Sequence, residues 1–298
     1  MNRWIIGLIL GVALITVPAF LLKEGVYGWT LFLLVPMALG AVGAWVARAQ
    51  TGWGAAGAGA VAVIAASFSL LALGVEGLFC ILMCVPLVGP LGAIGGYLWY
   101  VWPGRQKARG AATLLLILPA GTLGFDVTAQ PPTYEVHTTI DIAAPPEKVW
   151  PHVVAFREIA EPGEWYFRKG LAYPKKTRIE GSGPGVARYC ELSTGPVEET
   201  IEVWDEPRML RFAVTKSPPP MREWSPFGDI QPRHLNGYFR SKRGQFLLTR
   251  LPNGGTHVEG TSWYQHGLWP AQYWRLWSDA IVRRIHLRVL EHIKQLSE

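Results

Sequence analysis

Four long apolar runs in the first third of the chain constrain its fold more than any other feature. Trp4 to Leu22, Trp29 to Val46, Trp53 to Leu73 and Gly77 to Trp102 contain no Asp, Glu, Lys, Arg or His. Each is close to the roughly 20 residues an α-helix needs to cross a hydrocarbon core about 30 Å thick, so all four are predicted transmembrane helices. A fifth run, Ala111 to Phe125, is shorter and holds Pro119, Gly121 and Gly124. It either spans with some bilayer thinning or lies as a re-entrant or interfacial piece. Arg3 precedes the first run as it would in a signal peptide, but no A-x-A cleavage site follows and further spans do, so this run is expected to be retained.

Charge marks the seam. Residues 1–125 carry six basic residues (Arg3, Lys23, Arg48, Arg105, Lys107, Arg109) and two acidic ones (Glu24, Glu76), out of 28 Lys+Arg and 22 Asp+Glu in the whole chain. The organisation expected is a helical membrane module at 1–125, a linker at 126–132 and a soluble domain at 133–298. The net charge of +6 is spread over both halves, and the soluble half is too nearly balanced for a nucleic-acid partner. Gly92 and Gly96, with the Gly/Ala cluster from Gly52 to Ala60, suit close helix packing in lipid. Without ionisable groups inside the four strong runs, the module reads as an anchor rather than a transport path. If five runs cross, Arg3, Arg48 and the Arg105–Lys107–Arg109 cluster share one side, with Lys23 beside Glu24 on the other. The positive-inside rule then predicts an integral protein of a bacterial inner membrane, its amino terminus cytoplasmic and its C-terminal domain extracytoplasmic.

Cys80 and Cys84 lie one turn apart in the fourth run and Cys190 is alone in the soluble half, so neither a disulfide within that half nor a CxxC metal motif is expected. His234, His257, His266, His286 and His292 show no HExxH or similar pairing. Of these, His266 and His286 are the pair that could meet in space. No metal or cofactor is predicted.

The soluble half opens with an alternating strand, Tyr134 to Ile142, then a helix from Pro146 with Val149, Val153 and Phe156 on one face. Strands follow at Thr177–Glu180, Val186–Leu192, Val197–Trp204 and Met209–Thr215, separated by GSGPG, STGP and DEPR turns. A proline-rich segment, Ser217 to Pro232, carries Met221, Trp224 and Phe227 and is either a lid or lipid-touching surface or a solvated loop. Gly237–Leu251 and Thr256–His266 form a hairpin around PNGG. One long helix, Pro270 to Leu296, presents Trp274, Trp277, Ile281, Ile285, Val289, Ile293 and Leu296 as its apolar stripe.

This order of elements, with AAPPEKVW, GPGVARYCEL, GPVEETIEVWD and GQFLLTRLPNGGTHVEGTSWY, resembles the START-like superfamily, the polyketide cyclase/dehydrase and lipid-transport group also called SRPBCC. The resemblance covers about Pro132 to Ser297. It implies an α+β helix-grip fold, a curved antiparallel sheet wrapped around a long C-terminal helix, with a cavity between them for a hydrophobic small molecule or lipid. The membrane anchor and the long Ser217–Pro232 insertion depart from the minimal family pattern.

Trp204, Phe212, Phe246, Trp263, Trp277 and Ile281 are the candidate lining of that cavity, and apolar walls with few polar groups are what such sites require. The expected partners are the lipid bilayer and a hydrophobic ligand. The same cavity could serve a cyclase or hydrolase. For that reading Glu198 and Glu202, expected to share a face with Thr200 and Trp204, are candidate pocket carboxylates, and Glu199, Asp205, Glu206 and His266 are further acid/base candidates. No catalytic residue is assigned. Cys190 lacks a cationic neighbour to activate it, and Ser262 is not in a G-x-S-x-G elbow. A protein-interaction module with a filled pocket is the third reading.

Overall fold

The computed structural model describes residues 12, 16–102, 118 and 121–298 and divides into two compact units. The first comprises Met1–Gln130, Glu223–His234 and Gly267–Trp274, and the second Pro131–Arg222, Leu235–His266 and Arg275–Glu298. The helical unit therefore takes in two segments from the second half of the chain, beyond the boundary expected at 125.

In the first unit, residues 16–24 form α1 and residues 121–128 form α5. A π-helical stretch, Thr30–Leu34, runs into α2 (Val35–Ala47), followed by α3 (Gly52–Ala72) and α4 (Leu78–Val101). Among the described residues three helices, Thr30–Ala47, Gly52–Ala72 and Leu78–Val101, are long and apolar enough to cross a membrane. Most of the first and fifth predicted runs lie outside the described residues. A Cβ on Gly40 or Gly59 would come within 2.0 or 2.3 Å of the Gly92 carbonyl oxygen, and one on Gly96 within 2.2 Å of that of Ala55. These helices meet backbone to backbone, an approach that small residues permit.

Two helix starts in this unit are closed by carboxylates from far along the chain. Asp126 accepts from the Trp29 and Thr30 amides at 2.7 and 2.9 Å, and Glu223 from the Phe79 and Cys80 amides at 3.0 and 2.9 Å. The first amides of a helix lack intrahelical acceptors and carry partial positive charge, so a carboxylate satisfies both needs. Glycine makes the room: a Cβ on Gly28 would lie 1.9 Å from Asp126 Cγ, and one on Gly77 2.1 Å from Glu223 Oε2. The start of α3 uses a local cap instead, Thr51 Oγ1 accepting from the Gly54 amide at 3.0 Å.

The second unit is built on a seven-stranded antiparallel sheet of order β1-β9-β8-β5-β4-β3-β2. Its strands are β1 (Thr133–Ile142), β2 (Pro174–Ile179), β3 (Ala187–Leu192), β4 (Gly195–Asp205), β5 (Met209–Lys216), β8 (Phe239–Arg250) and β9 (Thr256–His266). Between β1 and β2 come α6 (Pro146–Val154) and the single turn α7 (Trp165–Arg168). The chain closes on α8 (Ala271–Ser297), whose Val289, Leu290 and Ile293 pack with Ile142, Ile201, Leu210, Leu248 and Val258 of the sheet and Val149 and Val153 of α6. Irregularities in β4 between Ile201 and Val203 and in β8 between Ser241 and Arg243 bend the strands. The result is the helix-grip arrangement that the element order implied.

Two expectations are corrected here. The segment from Ser217 is not a solvated loop throughout: β6 (Glu223–Ser225) and β7 (Gly228–Ile230) form a hairpin in the first unit, with Glu223 and Ser225 buried. The stripe on α8 is also turned from the predicted line. Val282 is buried, whereas Ile281 and Ile285 are half-buried and Trp277 is 36% exposed. The inward face includes Asp279 and His286, both held by partners on the sheet, and a stripe drawn through apolar residues alone misses a face containing polar groups.

Candidate functional site

Strand pairing fixes which side chains of the second unit face α8. On β9 these are Val258, Gly260, Ser262 and Tyr264, because Val258 joins the core, Tyr264 donates to Asp279 Oδ1 at 2.6 Å, and Ser262 Oγ lies 2.7 Å from His286 Nε2. His286 Nδ1 lies 3.1 Å from Thr138 Oγ1 of β1. With the imidazole proton on Nδ1, His286 donates to Thr138 and accepts from Ser262. Burial, assisted by His137 and Arg283, pushes the His286 imidazole down to about 4, so it is neutral near pH 7. The serine hydroxyl bonded to a neutral imidazole has the geometry of a nucleophile beside a base, but an imidazole held near 4 is a weak base at pH 7. His286 thus pairs with Ser262 and Thr138, and His266 instead stacks on Tyr134 at 5.0 Å.

The six predicted lining residues separate into three groups. Trp204, Phe212 and Phe246 are on the helix side, through the pairings Trp204↔Leu210, Phe212↔Gly244 and Phe246↔Gly260. Phe212 is buried over Gly244, where a Cβ would lie 2.4 Å from its ring, and Trp204 meets Trp150 edge-on at 5.6 Å. Trp263, one residue from Ser262 and Tyr264, points to the opposite face, so it cannot line a space beneath α8; the two-residue period of a strand decides this. Trp277 and Ile281 lie on α8 beside the packed stripe, and with Leu276 at 71% exposed they leave apolar surface that the core does not use.

The carboxylates are also sorted by register. Glu198 and Glu202 face outward to Lys216 and Arg243, and the irregularity after Ile201 returns Trp204 to the inner side. The inner carboxylate is Glu199, in a buried ion pair with Arg188. Arg188 also donates to the carbonyls of Val154 at 3.0 Å and Val153 at 3.3 Å, and its guanidinium lies 4.9 Å from the centre of the Phe212 ring. Burial raises the Glu199 carboxyl, opposed by Arg188. Burial and Glu199 push the Cys190 thiol up to about 12, the reverse of an activated nucleophile. A polar groove of about 470 Å³ opens elsewhere in this unit, lined by Lys216, Pro218, Arg240 and Lys242 among others.

The first unit holds a second buried polar cluster. Tyr27 donates to Glu76 Oε1 at 2.8 Å, His234 Nδ1 lies 3.4 Å from Glu76 Oε2, and His234 Nε2 lies 3.9 Å from Glu223 Oε1. Tyr27 and His234 meet edge to face at 5.3 Å. Burial, with Glu76 alongside, raises the Tyr27 phenol, which keeps it a donor. Sequence reading missed this cluster because Tyr27, Glu76 and His234 come from three separate stretches of the chain. Glu76 lies in the turn just before α4 and Cys80 in its first turn, so no helical periodicity in the sequence marks the pair.

A curved antiparallel sheet gripping a C-terminal helix, with apolar and polar groups on its inner face, defines the helix-grip class. Residues 133–237 match the family described as polyketide cyclase / dehydrase and lipid transport. Similar solved structures include the ZhuI aromatase/cyclase from Streptomyces sp. R1128, at 14% identity over 56% of this chain and 94% of that one, TM-score 0.36. Truncated norcoclaurine synthase from Thalictrum flavum is 10% identical over 57% and 97%, TM-score 0.37. A protein from Nitrosospira multiformis is 16% identical over 55% and 97%, TM-score 0.36. No curated protein matches the chain.

Proposed function

We propose that the chain is a membrane-anchored START-like protein whose helix-grip domain holds a hydrophobic small molecule or lipid between its sheet and α8. One observation carries the reading: a match to the cyclase and lipid-transport family shares a chain with three helices long and apolar enough to cross a membrane. The unused apolar flank of α8, Leu276, Trp277, Ile281 and Ile285, supports it. So do the exposed rings of Trp224 (50%) and Phe227 (71%) on the β6–β7 hairpin of the apolar unit, which suit a surface touching lipid. Burying an acyl chain contributes about 0.8 kcal/mol per CH₂, so such a ligand needs no charged clamp. The proposed site comprises Trp204, Phe212, Phe246, Trp277 and Ile281. The proposed setting is a bacterial inner membrane, with five spans, a cytoplasmic amino terminus and the domain outside the cytoplasm.

Native mass spectrometry of the full chain in detergent tests the ligand. Wild type should carry a lipid or other hydrophobic adduct, and Ile281→Asp, still folded by circular dichroism, should lose it. Trp263→Ser, on the other face, should retain it. An adduct that survives Ile281→Asp and Trp277→Asp removes α8 from the site. A reporter active only outside the cytoplasm, fused after Glu298, should be active; silence there with a working cytoplasmic reporter refutes the sidedness.

The Ser262–His286–Thr138 chain favours a second reading, a cyclase or hydrolase acting in the same space. Turnover of a bound ester or polyketide-like probe that Ser262→Ala or His286→Gln reduces at least tenfold, with the probe still bound, would select it over simple carriage.

A further inference from the structure

The cluster in the first unit has polar atoms without partners. Glu76 is 2% exposed, Cys80 and His234 each 8%, yet among the described residues Glu76 Oε2 and both His234 ring nitrogens have no hydrogen-bond partner. Leaving such groups unmade inside a protein is costly. One ligand atom from each of Glu76, Cys80 and His234 can be placed within 4.8 Å of the others. Two ligands bound at about 2.0–2.1 Å on a tetrahedral centre stand roughly 3.4 Å apart, and Glu76 Oε2 to His234 Nδ1 is 3.4 Å. That separation fits one edge of a tetrahedron.

We propose that Glu76, Cys80 and His234 bind a borderline-soft divalent transition-metal ion, Zn²⁺ being the type, with one coordination position left open. A thiolate, an imidazole and a carboxylate together suit Zn²⁺ and exclude Mg²⁺ and Ca²⁺, which take oxygen ligands. The supporting groups are in place. Tyr27 holds Glu76 Oε1 and leaves Oε2 for the ion, as partners behind a metal ligand do. Glu223 accepts from the Phe79 and Cys80 amides of α4, and its Oε1 lies 3.9 Å from His234 Nε2. On binding, the Cys80 thiol gives up its proton to solvent, and thiolate plus the Glu76 carboxylate balance the two charges of the ion. The open position has somewhere to face: Tyr27, Glu76 and Cys80 line a cavity of about 60 Å³ whose other walls include Leu31, Phe32, Val63 and Leu70. One water needs about 10–15 Å³ by the same measure. The competing account is an ion pair alone, a protonated His234 between Glu76 and Glu223.

Full-length protein in detergent is stripped with a chelator, titrated with Zn²⁺ and assayed by elemental mass spectrometry, and separately loaded with Co²⁺ for absorption spectroscopy. One Zn²⁺ per chain is expected, with a thiolate-to-cobalt charge-transfer band and d–d bands of tetrahedral intensity. Cys80→Ser should abolish the charge-transfer band, and His234→Gln should lower affinity at least 100-fold. Cys84→Ser should leave both signals. Tyr27→Phe, which leaves all three ligands, should weaken binding about 10–100-fold and decides the matter if the ligand variants do not fold. No uptake by wild type establishes an ion pair only. Uptake unaffected by Cys80→Ser, His234→Gln and Tyr27→Phe places any metal elsewhere. Both results overturn the proposal, and neither bears on ligand binding in the helix-grip domain.

Discussion

Arg188 with Glu199 in one unit, and Glu76 with His234 in the other, are buried pairs of a base and a carboxylate, but they are satisfied to different degrees. Arg188 spends its donors on Glu199 and on the carbonyls of Val153 and Val154, with the Phe212 ring across its face. Among the described residues, Glu76 Oε2 and the His234 nitrogens find no such partners. A buried charge is tolerable when its hydrogen bonds are complete. The first pair is therefore finished as it stands and serves the fold. The second is shaped as though something else completes it.

The largest expected effect probes the finished pair. Arg188→Ala strands a buried carboxylate and should destabilise the helix-grip domain by about 3–5 kcal/mol, read from thermal melting of the full chain by circular dichroism. A loss below about 1 kcal/mol would remove the contrast between the clusters. Next comes pH. His286 titrates near 4 when folded and near 6.5 when unfolded. The unfolded chain therefore binds the extra proton between these values, and stability falls as pH drops through that window. The loss should be on the order of 2–3 kcal/mol between pH 7 and 4, and His286→Gln should flatten that part of the profile.

A smaller effect sharpens the other side. Glu223→Ala removes the carboxylate from the start of α4 and should cost about 1–2 kcal/mol, the scale of a lost helix cap. Gly77→Ala should cost at least as much by crowding Glu223 Oε2. Hydrogen exchange at the Phe79 and Cys80 amides is the direct readout for both. Smallest is Thr51→Ala, at about 1 kcal/mol, which opens only a local cap. If Thr51→Ala exceeds Glu223→Ala, the remote carboxylate is not what holds its helix.

How much of this was legible depends on distance along the chain. Strand alternation from Tyr134 to Ile142 and the turns GSGPG and PNGG are local signals, and the sheet follows them closely. The inner face of β4 was not legible, because the irregularity after Ile201 reverses the two-residue alternation: Glu202 goes out and Trp204 comes in. Trp263 fell to the opposite face for want of a register anchor, which only Ser262 and Tyr264 bonding to α8 supply. The Tyr27–Glu76–Cys80–His234 cluster was least legible. Glu76 sits in a turn before α4, where helical periodicity gives no signal, and His234 lies just past the proline-rich segment Ser217–Pro232.

The carboxylate admitted by Gly77 has a consequence in time. Glu223 is 144 residues downstream of Phe79, and at about 5–20 residues per second the ribosome makes it roughly 7–29 s after the helix whose first amides it will hold. Throughout that interval the front of α4 has glycine where a cap would be. A chain interrupted before residue 223 would thus leave the Phe79 and Cys80 amides without this acceptor.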